Sequence, residues 1–140
     1  MTDFKVFLDT TPLIYLLEDD VNFGEKTEKI FSQLTRQNKK FVSSVITCTE
    51  FFVQPCRENN LIRIQAFWEF VQECKMPLCP INMKIALKAA EIRAEYKFKA
   101  MDSLQLATAF VNGCDLFLTN DKQLKQFKEI SCVTVEEWNF

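Results

Sequence analysis

At 140 residues, 48% of them hydrophobic and only two of them glycine, the chain suits one ordinary domain with a real core and carries no low-complexity tract. It has no histidine, which excludes Ser-His-Asp, Cys-His and every other histidine-based acid–base mechanism; six cysteines without a C-x-x-C pair also argue against zinc. A formal net charge of −2 is not that of a general nucleic-acid binder, yet gathering four carboxylates around metal leaves −2 + 4 = +2 on the remaining surface.

The first predicted element is a short strand, Phe4 to Leu8, broken by Asp9. Thr10 and Thr11 then offer N-cap hydroxyls, Pro12 suits a first helical position, and Leu13, Ile14, Leu16 and Leu17 make that helix apolar. A second helix runs from about Glu25 to Gln37, with Ile30, Phe31 and Leu34 on one face. Phe41 to Ser44 reads as the second strand, followed from about Val45 by a helix that carries Glu50 and breaks or kinks at Pro55. Leu61 to Cys74 is a further helix, Cys79 to Ile81 a brief strand, and Asn82 caps a helix through about Tyr96. A loop around Lys97 to Met101 leads to Asp102, at the start of a helix that Gly113 terminates. Asp115 to Thr119 is a strand, Asn120-Asp121 a turn, Lys122 to Phe127 a short helix, and Ser131 to Val135 a last strand. Strands alternating with helices indicate an α/β fold with a largely parallel sheet, in one domain over residues 1–140.

In such a sheet, ligands sit outside the carboxyl ends of the strands. Asp9 follows the first strand, Asp121 follows the strand ending at Thr119, and Glu50 lies within two turns of the second strand. Asp102 is harder to place. A helix preceding a strand is expected to begin at the opposite edge, so Asp102 joins the others only if its helix lies across the sheet. Each acid also has a local explanation. Asp102 and Asp121 could be caps, Asp9 could form an Asx-turn with Thr11, and Glu50 could tilt to a wet helix edge. Glu50 resists this most, because Val45 to Val53 is apolar and burying an unpaired carboxylate there would cost on the order of several kcal/mol.

The cysteines read as reduced, mostly buried thiols of a cytoplasmic protein, and no apolar run approaches the ~18 residues that span a bilayer. The N-terminus reads as a strand and not as a signal peptide. Lys39-Lys40, Lys97/Lys99 and Lys122/Lys125/Lys128 are candidate phosphate contacts, or plain solvated faces.

Four segments, Phe7 to Ile14, Ser43 to Phe51, Met101 to Ala109 and Phe117 to Asp121, resemble the motifs of PIN-domain ribonucleases in order and spacing across essentially the whole chain. The third, an acid and a small residue followed by Leu and then Ala-Thr-Ala, is the most specific. The compact size is similar to the VapC-type toxins of toxin–antitoxin modules. The resemblance implies a three-layer α/β/α domain and an acidic quartet of Asp9, Glu50, Asp102 and Asp121 binding Mg²⁺ or Mn²⁺. It implies supporting roles for Thr11, Thr119 and Asn120. It also implies RNA hydrolysis leaving a 5′-phosphate and a 3′-hydroxyl, a homodimer, and an antitoxin whose tail occupies the acidic groove. The Thr-Thr-Pro after Asp9 and the Lys97–Met101 loop depart from the pattern and bear on substrate choice.

The chemistry is consistent with the residues. Two carboxylates about 4 Å apart repel by roughly 4 kcal/mol at an effective dielectric near 20, so four together call for protonation or a cation. Other readings stay open: a binding role with the acids as caps, or a housekeeping RNA-processing nuclease. A phosphoacceptor domain of response-regulator type fits poorly, since no Asp ends the middle strand.

Overall fold

The structure, a computed structural model, describes residues 3–140. Among them, strands β1 (Lys5–Leu8), β2 (Lys40–Ser44), β3 (Leu78–Cys79), β4 (Leu116–Thr119) and β5 (Ser131–Thr134) form one sheet in the order β3-β2-β1-β4-β5. Every pairing is parallel, with Phe7 registered on Val42 on one side and on Phe117 on the other. Helices α1 (Thr10–Leu17), α2 (Gly24–Arg36), α3 (Val45–Glu58), α4 (Leu61–Cys74), α5 (Met83–Tyr96) and α6 (Ala100–Val111) flank it, with a 3₁₀ helix at Lys122–Gln126. The chain steps outward from β1 through β2 and β3, then returns to lay β4 and β5 on the other side of β1. Its direction of winding reverses between β1 and β4, and this opens a crevice at their carboxyl ends.

The layers follow from a period-2 pattern buried on both faces, which is why β1 reads as a continuous apolar run. Phe7 and Phe117 stack at a centroid distance of 5.2 Å and meet Ile85, Ala89 and Ile92 of α5 and Leu106, Ala107 and Ala109 of α6. Val6, Leu8 and Leu118 face the other way, onto Ile30, Phe31 and Leu34 of α2. A third cluster of Leu13, Phe51 and Phe67 ties α1, α3 and α4 together.

Several local expectations hold and others need correction. Asn82 caps α5, its side-chain oxygen accepting from the Ile85 N–H at 3.0 Å. Replacing Asn82 with alanine is expected to cost about 1 kcal/mol in chemical denaturation. Gly113 closes α6 with φ +69°, a left-handed conformation that suits glycine. The cap of α1, however, is Asp9 and not Thr10 or Thr11, and Pro12 stands third in the helix. Pro55 does not break α3, which continues to Glu58 with Pro55 buried inside it. Only one turn follows the proline, and Asn59 in the left-handed region (φ 51°) closes it while the Asn60 N–H bonds the Pro55 carbonyl at 2.8 Å. β3 ends at Cys79 because Pro80 has no N–H to give a ladder. All six cysteines are free, but only Cys79, Cys114 and Cys132 are buried, and Cys56 is exposed. Burial pushes the Cys114 and Cys132 thiols up to about 12, so both are inert near neutral pH. Among the described residues no helix is long and apolar enough to cross a membrane.

Candidate metal centre

Asp9 sits where the winding of the sheet reverses. Its backbone N–H bonds the Leu118 carbonyl at 3.0 Å, so the residue is pinned between the ends of β1 and β4. The side chain is 9% exposed. Oδ1 accepts from the Thr10 N–H at 2.9 Å and from Gln105 Nε2 at 3.4 Å, and Oδ2 accepts from the Thr119 hydroxyl at 2.8 Å. Burial pushes its carboxyl up to about 6; the Thr119 and Thr10 bonds oppose this, and the Asp102 and Glu50 charges add to it. Among the described residues no lysine or arginine pairs with any of the four acids.

Glu50 corrects the expectation drawn from its apolar segment. It is exposed, so no burial penalty singles it out, and the deeply buried acid is Asp9. Val45 to Val53 is apolar because Ile46 and Phe51 point inward, while Glu50 faces water on the helix edge. Its Oε1 nevertheless accepts the Thr10 hydroxyl at 2.6 Å, which draws the head of α3 toward the start of α1. Thr10→Val is expected to cost about 1 kcal/mol in a denaturant melt through loss of this bond.

Asp102 also corrects an expectation. A helix between parallel strands returns antiparallel to them, so α6 begins at the carboxyl edge and needs no tilt across the sheet. Two contacts fix this direction: Gln105, one turn in, bonds Ser44 at the end of β2, while Asn112 past its last turn takes the Lys5 ammonium at the start of β1 (3.1 Å). Lys99 is the N-cap and Asp102 lies in the first turn, half-buried, so Asp102 is not a cap. Burial, then the Asp121 and Glu50 charges, raise its carboxyl above the usual range, and Lys99 opposes them.

Asp121 is exposed and does cap the 3₁₀ helix, its Oδ1 accepting from the Gln123 N–H at 3.0 Å. Its own N–H bonds Thr119 Oγ1 at 3.1 Å, so Thr119 connects the Asp121 backbone to the Asp9 carboxylate. Asn120 points elsewhere, bonding the Tyr15 hydroxyl and the Glu136 N–H, both at 3.0 Å. Thr11 makes no side-chain hydrogen bond among the described residues; its neighbour Thr10 does. Gln105, Ser44 and Thr47, all buried, join the site although no motif in the sequence marks them. Only Gln105 leaves a trace there, since a glutamine inside Leu104-Gln-Leu-Ala, three residues after an acid, is a polar group that must find partners.

The donors are all oxygen, which suits a hard divalent cation, and neighbouring carboxylates add to the raised proton affinity of Asp9 and Asp102. Among the described residues no three acidic or cysteine side chains stand close enough to hold an ion unaided. An ion bound by one or two carboxylates that keeps its other water ligands fits this spacing, and Mg²⁺ behaves in that way.

These features define a three-layer α/β/α domain with an acidic crevice at its topological switch point. Residues 6–130 match the PIN domain model, and the chain belongs to the PIN-domain family. PIN domains are generally nucleases, and those nucleases generally use divalent metals. Similar solved structures include a chain of VapBC2 from Rickettsia felis bound to a DNA fragment from their promoter, at 15% identity and TM-score 0.76, covering 96% of this chain and 99% of that one. Another is in a toxin-antitoxin complex from Klebsiella pneumoniae, at 22% identity and TM-score 0.72, covering 93% and 97%. A third is in FitAcB from Neisseria gonorrhoeae, at 18% identity and TM-score 0.73, covering 95% and 99%. No curated protein matches the chain.

Proposed function

We propose that the chain is a metal-dependent endoribonuclease, the toxin of a toxin–antitoxin pair, with Asp9, Glu50, Asp102 and Asp121 as its acidic site. The observation that carries this is Asp9, a carboxylate buried at the switch point, beside other acids and without a cationic partner among the described residues. Burying an unpaired charge is costly, and its retention at a strand end makes sense where a cation completes it. The toxin assignment draws on the likeness to chains from toxin–antitoxin complexes.

Mg²⁺ or Mn²⁺ bound here would lower the pKa of a water and steady charge on the phosphate. Asp9 and Asp102 would be the main ligands, both drawn from the less exposed side of the crevice. Glu50 and Asp121, at the wet rim, would bind the ion or orient water. Thr119 and Asn120 would hold the β4 end in place, the first through Asp9 and the second through Tyr15 and Glu136; Thr11 would support the head of α1, two residues beyond Asp9. In the overall reaction a water oxygen bonds to phosphorus, the bond from phosphorus to the 3′ oxygen breaks, and that oxygen takes a proton. A 5′-phosphate and a 3′-hydroxyl result.

The partners proposed are a second copy of the chain and an antitoxin that offers a basic side chain to the carboxylates, a charge-assisted contact that would stand in for the cation. Incubating the protein with total RNA in Mg²⁺, Mn²⁺ or EDTA and mapping the new 5′ ends tests the chemistry. Discrete 5′-phosphate ends that vanish in EDTA are expected. Equal cleavage in EDTA, or none with either ion, would overturn the assignment.

A further inference from the structure

We infer that Gln105 is a positioning residue that leaves Asp9 a single lone pair for a cation, so that Asp9 binds through Oδ2 alone. This rests on the metal-dependent function proposed above.

Gln105 is 1% exposed on α6, one turn beyond Asp102. Its side-chain carbonyl accepts the Ser44 hydroxyl, and its Nε2 lies 2.8 Å from Thr47 Oγ1 and 3.4 Å from Asp9 Oδ1. The surrounding hydroxyls decide which way the amide faces. Ser44 Oγ already accepts the Ile46 N–H at 3.1 Å, so its proton is free to go to Gln105 Oε1. Ser43 Oγ lies 2.8 Å from both the Leu8 carbonyl and Thr47 Oγ1. A carbonyl can only accept, so the one Ser43 proton goes to Leu8 and Thr47 donates to Ser43. Thr47 therefore accepts from Gln105, and the amide N–H₂ is turned toward Asp9. The reversed amide would set a carbonyl oxygen against the carboxylate.

An ionised carboxylate offers about four acceptor sites. On Asp9 the Thr10 and Gln105 N–H groups fill both sites of Oδ1. The Thr119 hydroxyl takes one on Oδ2, donating its proton because an ionised carboxylate can only accept, while Thr119 Oγ1 accepts the Asp121 N–H. One site remains. A single oxygen suits the octahedral shell of Mg²⁺ or Mn²⁺, whereas Ca²⁺ takes more ligands and often binds a carboxylate through both oxygens. Gln105 thereby makes Asp9 a one-oxygen ligand and biases the crevice against the larger ion.

Isothermal titration of the full chain with Mg²⁺, Mn²⁺ and Ca²⁺ tests this without an activity readout. Gln105→Met, close in length but without the N–H, is expected to shift the Ca²⁺-to-Mg²⁺ affinity ratio toward Ca²⁺ by about 10- to 100-fold, the range that outer partners of metal ligands control. Thr47→Val, which loosens the amide and leaves it in place, should shift the ratio in the same direction by less. A purely structural role would weaken all three ions alike, and an unchanged ratio in both variants overturns the inference. If Gln105→Met fails to fold, the Thr47→Val ratio decides. A wild-type chain that binds none of the three ions overturns the metal-dependent function along with it; binding with unchanged ratios overturns only the role of Gln105.

Discussion

Replacing Asp102 with alanine is expected to abolish RNA cleavage while the protein still folds. The loss should be at least about 100-fold in the rate of appearance of 5′-phosphate ends, since even outer partners of metal ligands carry about 10- to 100-fold. Folding should survive because Asp102 is half-buried, makes no cap and has no ion-pair partner among the described residues. Removing it also relieves the repulsion it shares with Asp9, Glu50 and Asp121, so the metal-free chain should melt no lower than wild type. Its position in the first turn does favour the helix dipole by roughly 0.3–1 kcal/mol, which limits any gain. Divalent ions should raise the melting temperature of wild type and not of Asp102→Ala, because only a folded site binds them. Full ion-dependent cleavage by the variant would remove Asp102 from the site.

The second large effect is in metal-free stability against pH. The Asp9 carboxyl is raised from 3.8 to about 6 in the fold, first by burial. The folded state therefore holds a proton that the unfolded chain releases, over a window from about pH 4 to pH 6. Below that window both states are protonated and the group is neutral to stability. Through it, stability falls as pH rises, and above it Asp9 costs about 3 kcal/mol. In EDTA, Asp9→Asn should remove this slope and gain up to about 3 kcal/mol over wild type at neutral pH. Asparagine can keep its oxygen toward the Thr10 and Gln105 N–H groups and donate its amide to Thr119 Oγ1, but the Thr119 hydroxyl proton then loses its acceptor, so the net gain falls below that figure. The two proteins should converge near pH 4. Urea melts at several pH values read this directly, and parallel curves would mean that Asp9 is not perturbed as described. Cleavage by Asp9→Asn should be lost as well.

Much of the fold was legible in the sequence because the signals were local. The apolar run ending at Asp9, the asparagine before Met83 and Gly113 after α6 each act within a few residues. Errors arose where tertiary packing overrode a local preference, as at Pro55, held inside α3 by burial and a closed C-terminus. For the site, Asp9 and Asp121 could be placed from strand ends alone. Asp102 cannot, because its placement depends on the direction of α6, and Glu50 sits in an apolar segment yet faces water. Gln105 stands out in the sequence only as a polar residue in an apolar run, and Ser44 and Thr47 carry no local signal at all. Their significance lies in bonds between β2, α3 and α6, segments up to 61 residues apart, which no local pattern encodes.

The two-residue strand β3 carries one more consequence. It lies at one border of the sheet, bracketed by Pro77 and Pro80, neither of which has an N–H to offer. Such a border cannot template a further strand, which guards a parallel sheet against uncontrolled extension and aggregation. Of the two borders among the described residues, only β5 has four residues to present. A partner that meets the chain on the β3 side must therefore recognise side chains and not exposed backbone.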